Sequence, residues 1–115
     1  MKLQKDERIL IHGVAGAVGL FAVQLAKLQG AYVIATSSET NIAFVNRLGA
    51  DEVIDYRARR FEEAGPVDVI FDTVGGETLD RSWGDLKPGG RLVTIASEAE
   101  SSTDERIKKD RKSVV

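Results

Sequence analysis

The chain has 115 residues, of which 43% are hydrophobic and 30% charged, and carries a formal charge of −2. That length supports one domain with its own core, and the slightly negative balance argues against electrostatic binding of nucleic acid. The lack of cysteine excludes disulfides, thiolate metal sites and a cysteine nucleophile and suits a reducing cytoplasm, while no apolar stretch has the length of a signal core or a membrane span.

Residues Ile9 to Gly13 form an apolar run suited to a strand covered on both faces, as in a parallel sheet between helices. The run breaks into Gly13, Gly16 and Gly19, evenly spaced, and then into a helical pattern from about Gly16. Strand, glycine loop and helix in that order bring backbone N–H groups and a helix N-terminus to one point, where a dinucleotide pyrophosphate can sit. Val14 stands where the commoner fingerprint has its first glycine, so Gly13 is expected to make the bend, Gly16 to admit the pyrophosphate and Gly19 to let helix and strand approach. In this first helix Val18, Phe21, Leu25 and Leu28 recur at three and four residues, which predicts that this stripe faces the sheet.

Tyr32 to Ala35 is the expected second strand, followed by a helix with Ile42, Val45 and Leu48 on one face, Ser38 or Thr40 at its start and Gly49 at its end. Glu52 to Tyr56 is a short third strand, Arg57 to Ala64 a charged segment with a brief helix, and Val67 to Asp72 a fourth strand. A further helix is expected within Gly76 to Leu86, a turn at Lys87-Pro88-Gly89-Gly90, and a fifth strand from Arg91 to Ala96. This alternation predicts an α/β fold: a Rossmann-type, doubly wound parallel sheet of five strands with helices on both faces and ligands at the carboxyl edge. Residues 1–97 form the dinucleotide-binding domain, and 98–115 read as a polar, solvated tail ending at Ser113-Val114-Val115, the start of a truncated sixth strand.

In such folds an acidic residue at the end of the second strand commonly grips the adenosine ribose. Thr36-Ser37-Ser38 stands there instead, leaving room for a 2′-phosphate and no carboxylate to repel it, so NADP(H) is favoured over NAD(H). Glu39 weakens that preference if it turns inward, Arg47 lies too far along its helix to help, and the serines can equally serve only as helix caps. His12, the one histidine, reads as a structural residue entering a buried strand end, and it cannot assemble a zinc site alone. Asp68 and Asp72 alternate onto one face of the fourth strand and read as structural, with Asp72 nearer the ligand edge. No residue earns a catalytic role.

Five passages go beyond the glycines: His12 to Gly19, Val23 to Lys27, Leu48 to Tyr56, Phe71 to Gly76 and Gly90 to Val93. In these, residues 9–97 resemble the nucleotide-binding domain of the medium-chain dehydrogenase/reductases, nearest to quinone oxidoreductases and zinc-type alcohol dehydrogenase-like members. The resemblance implies hydride transfer between NAD(P)H and a quinone, carbonyl or activated alkene. It places Ala15, Ala17 and Val18 at the pyrophosphate loop, Thr36, Ser37 and Ser38 at the adenosine ribose, Tyr56 on the adenine side, and Thr73, Val74, Ala96 and Ser97 toward the nicotinamide half. Tyr56 can also be a surface aromatic closing its strand.

The catalytic domain of such an enzyme is missing from these 115 residues, so the chain is expected to bind cofactor but to be inactive alone. Family members often dimerise through their last strands, which here implies a monomer or weak dimer with an exposed sheet edge. Two other readings stay open. The strand Asp68-Val69-Ile70 with the later Leu86 to Leu92 is also similar to methyltransferases that bind S-adenosylmethionine, although Thr36 stands where a carboxylate would hold that ligand's ribose. The fold can also serve as a noncatalytic nucleotide-binding module.

Overall fold

The computed structural model describes residues 3–14 and 16–95, together with the backbone of 113–114. Its parallel strands are β1 (Arg8–Ile11), β2 (Tyr32–Ser37), β3 (Glu52–Asp55), β4 (Val67–Asp72), β5 (Leu86–Thr94) and β6 (Ser113–Val114). They form one sheet in the order β3-β2-β1-β4-β5-β6. The helices are α1 (Ala17–Leu28), α2 (Ile42–Arg47) and α3 (Gly76–Ser82). From β1 the chain winds outward through β2 to β3, then crosses back to place β4 on the other side of β1. This reversal opens a crevice at the carboxyl edge, where doubly wound sheets take ligands.

Strand alternation sends the core to both faces. Ile9 and Ile11 pack with Val23, Ala26 and Val45 under α1 and α2, while Leu10 packs with Ile70, Leu79 and Trp83 under α3. All three β1 side chains named here are fully buried. No helix among the described residues is long and apolar enough to cross a membrane.

The first helix is rotated from the expected orientation. Its buried residues are Gly19, Ala22, Val23 and Ala26. The predicted inner stripe lies outside, with Val18 51%, Phe21 67%, Leu25 41% and Leu28 85% exposed. The cause is close approach: a Cβ built on Gly19 would lie 2.8 Å from the Val14 Cα and 3.0 Å from the Gly13 carbonyl oxygen. Only a small-residue face can seat a helix at that distance, so the bulky side chains turn away.

One other local expectation changes. Lys87-Pro88-Gly89-Gly90 does not separate two elements but bulges within β5, whose register with β4 steps from Val67↔Leu86 to Val69↔Arg91. Gly89, at φ +79°, takes the left-handed conformation the bulge needs. The charged segment after β3 forms a turn and then a brief 3₁₀ helix at Phe61–Ala64 that buries Phe61, within the stretch expected to hold a brief helix. Asp85, in the 3₁₀ turn after α3, is buried with its Oδ2 unpartnered among the described residues. Burial, with the charge of Glu62, pushes its carboxyl up to about 6.

Candidate functional site

The carboxyl edge is built by hydrogen bonds that tie the strand ends together. The His12 amide donates to the Phe71 carbonyl (2.9 Å), the Val14 amide to the Thr36 carbonyl (3.2 Å) and the Thr73 hydroxyl to the His12 carbonyl (2.8 Å). Gly13 sits at φ +74°, where an added Cβ would collide with the Thr73 hydroxyl, so both backbone sign and space require glycine. Asp72 is fully buried and accepts from the Val74 and Gly75 amides and the Thr94 hydroxyl, at 3.2, 2.9 and 2.9 Å. It shapes the loop after β4. Asp68 accepts from the Arg8 amide and pairs with Lys87.

Gly16 caps α1, and the first intrahelical bond runs from the Leu20 amide to the Gly16 carbonyl. The Ala17 and Val18 amides therefore have no partner within the helix, no side chain caps them, and no acidic residue stands in the first turn. A Cβ on Gly16 would meet nothing within 4 Å. Among the described residues the helix end is thus uncapped, and its amides carry the partial positive charge of a helix N-terminus.

Beside it lies a cavity of about 390 Å³. Of the expected residues, Gly13, Thr36, Ser37, Ser38, Tyr56 and Val74 line it. Gly16, Ala17, Val18, Gly19 and Thr73 do not, and Ala15, Ala96 and Ser97 fall outside the described residues. Glu39 is exposed and off the wall. Ser38 makes no helix cap, its hydroxyl being engaged by Thr40 and Asn41, and α2 starts later, at Ile42.

Four side chains complete the walls unannounced by the sequence pattern: Arg59, Phe61, Thr78 and Arg81. Thr78 and Arg81 are three apart on α3, a spacing that puts them on one face, but only the fold reveals which. Arg81 grips the Glu62 carboxylate through Nε and a terminal nitrogen, at 2.9 and 2.7 Å, and lies over the Phe61 ring at 4.6 Å. These bonds hold the Glu62 carboxyl below its usual range and raise Arg81 further. His12 forms part of the cavity wall, its ring bonded to the Thr36 and Ser82 hydroxyls at 3.2 and 2.9 Å. Burial drives it down to about 4, so at neutral pH it is an uncharged structural group. No described carboxylate lines the cavity, while two guanidinium groups and a hydroxyl row do. This arrangement can hold an anionic, hydroxyl-rich ligand; it offers no paired acid and base.

A sequence model for zinc-binding dehydrogenases matches residues 17–114. The mitochondrial NAD(P)H oxidoreductase RTN4IP1 of Danio rerio is 38% identical over 112 residues, covering 89% of this chain but 29% of the relative. Among solved structures, the quinone oxidoreductase of Coxiella burnetii superposes with a TM-score of 0.91 at 36% identity, over 97% of this chain and 36% of that one. The Escherichia coli quinone oxidoreductase complexed with NADPH gives 0.82 at 30% identity, over 99% and 39%. The chain thus spans well under half the length of these proteins.

The family name implies zinc, but the residues here do not fit that metal. The chain lacks cysteine, both nitrogens of its one histidine are engaged, and the described residues contain no group of three potential ligands. With residues 17–114 matched, the chain belongs to the zinc-binding dehydrogenase family, among the medium-chain dehydrogenase/reductases.

Proposed function

We propose that this chain is the cofactor-holding part of an oxidoreductase that moves hydride between NADPH and a quinone, carbonyl or activated alkene. One observation carries the reading: the end of β2 offers Thr36, Ser37 and Ser38 to a cavity that contains arginines and no described carboxylate. A ribose bearing a 2′-phosphate meets donors there and no like charge, whereas a bare ribose loses the usual acidic grip. Support for the pyrophosphate position comes from the uncapped α1 N-terminus. The nicotinamide supplies hydride chemistry when bound; the residues of this chain hold and orient it.

The test is titration of the purified chain with NADPH, NADH and S-adenosylmethionine, followed by calorimetry. NADPH is expected to bind tightest, and equal or tighter NADH binding would overturn the preference. The chain alone is expected not to sustain NADPH oxidation with a quinone, since it spans well under half the length of the relatives. We read the free chain as a monomer or weak dimer; a tight dimer in sedimentation would contradict this.

A further inference from the structure

We infer that Arg59 is the residue that selects the phosphorylated cofactor, by meeting the 2′-phosphate at the mouth of the cavity. This rests on the preceding reading of the site as one for a phosphorylated dinucleotide. Two cations line the wall, and they differ in what already holds them. Arg81 is locked by a two-point bond to Glu62 and by the Phe61 ring, so its charge is matched and its fork occupied. Arg59 has one ion pair, from Nε to Glu63 at 3.6 Å, with the side chains 50% and 54% exposed. Such a pair is worth little, and among the described residues it leaves the terminal nitrogens of the guanidinium uncommitted.

Arg59 reaches this wall because β3 ends beside β2. Ser37 pairs with Asp55, and the Arg59 amide bonds back to the Asp55 carbonyl at 3.0 Å, tying the turn that carries Arg59 to the serine edge. A phosphate monoester carries about −1.5 to −2 charge and presents oxygens that match a guanidinium fork. Exchanging the weak Glu63 contact for that dianion gains a charge-assisted pair that NADH cannot offer. The neighbouring Arg57 is not on the cavity wall; its guanidinium lies over the ring of Tyr56, a wall residue, at 5.9 Å, which makes R57A the control for charge near the site.

The experiment compares the chain with its R59A, R59K and R57A variants, by calorimetry with NADPH, NADH, 2′,5′-ADP and 5′-ADP at two salt concentrations. R59A is expected to weaken NADPH and 2′,5′-ADP by roughly tenfold to hundredfold, leaving NADH and 5′-ADP within about twofold. R59K should recover part of the loss, and higher salt should narrow the gap between phosphorylated and plain ligands in the parent but not in R59A. Equal losses for both ligand classes, an R57A loss as large as that of R59A, or an unchanged R59A would overturn the assignment. If the parent prefers NADPH and R59A keeps that preference, only this inference fails. If the parent binds no dinucleotide or favours NADH, the reading beneath it fails too.

Discussion

Gly16 and Gly19 stand three residues apart, yet alanine at each should damage a different property. At Gly19 the new methyl would lie 2.8 Å from the Val14 Cα, 3.0 Å from the Gly13 oxygen and 3.4 Å from the Val14 carbonyl carbon, all backbone atoms. That backbone cannot simply yield, because the Val14 amide is bonded to Thr36 and the His12 amide to Phe71. Overpacking of this kind costs about 1–3 kcal/mol, the upper end applying where backbone must move. Alanine returns about 1 kcal/mol of helix propensity, leaving a net loss of about 1–2 kcal/mol. At Gly16 the methyl meets nothing within 4 Å, and φ −86° is open to any residue. Stability should then change by about 1 kcal/mol or less through weaker N-capping. If the pyrophosphate sits as proposed, the methyl enters the space it needs, and NADPH affinity should fall about tenfold, equivalent to about 1.4 kcal/mol. Urea unfolding gives the first quantity and calorimetric titration the second. A G19A variant as stable as the parent, or a G16A variant that binds NADPH normally, would refute the reasoning.

Replacing Asp72 by alanine strands two amide donors and the Thr94 contact, and should cost about 2–4 kcal/mol in urea unfolding; a loss below about 1 kcal/mol would show that the loop after β4 does not depend on it. The pH dependence of stability should expose two opposed groups. Asp85, raised from 3.8 to about 6, contributes fully below pH 3.8 and loses that contribution as pH rises through 6; His12, lowered from 6.5 to about 4, contributes fully above pH 6.5 and loses it as pH falls toward 4. Each is worth up to about 3 kcal/mol, so they offset one another between these limits. D85N should therefore stabilise the chain by about 1–3 kcal/mol at pH 7 and leave a stability that declines on acidification from pH 6.5. Unchanged stability of D85N at pH 7 would overturn this.

The sheet was legible in the sequence because a strand covered on both faces must be apolar at successive positions, as Ile9, Leu10 and Ile11 are. The glycine loop was legible because its constraint is local: Gly13 needs its backbone conformation and Gly19 its lack of a side chain. The orientation of α1 was not. Periodicity identifies residues that share a face, but Gly19, Ala22, Val23 and Ala26 form a stripe as regular as Val18, Phe21, Leu25 and Leu28, and hydrophobicity alone selects the bulkier one. Which stripe faces inward depends on the distance between helix and sheet, a tertiary quantity. The arginines were hidden for a similar reason. Arg59 and Arg81 come from the turn after β3 and from α3, distant in sequence from the Thr36 to Ser38 edge whose cavity they complete.

The two stripes of α1 also divide the helix into a fixed side and a free one. Glycine and alanine on the inner side set where the helix axis lies, and hence where its N-terminal amides aim. On the exposed side Lys27 bonds Asp51, while Phe21 and Leu28 stand 67% and 85% exposed, so these two can change in size or polarity while the helix N-terminus stays in place. A chain built this way can acquire or exchange neighbours along one flank of the helix without moving its N-terminal end.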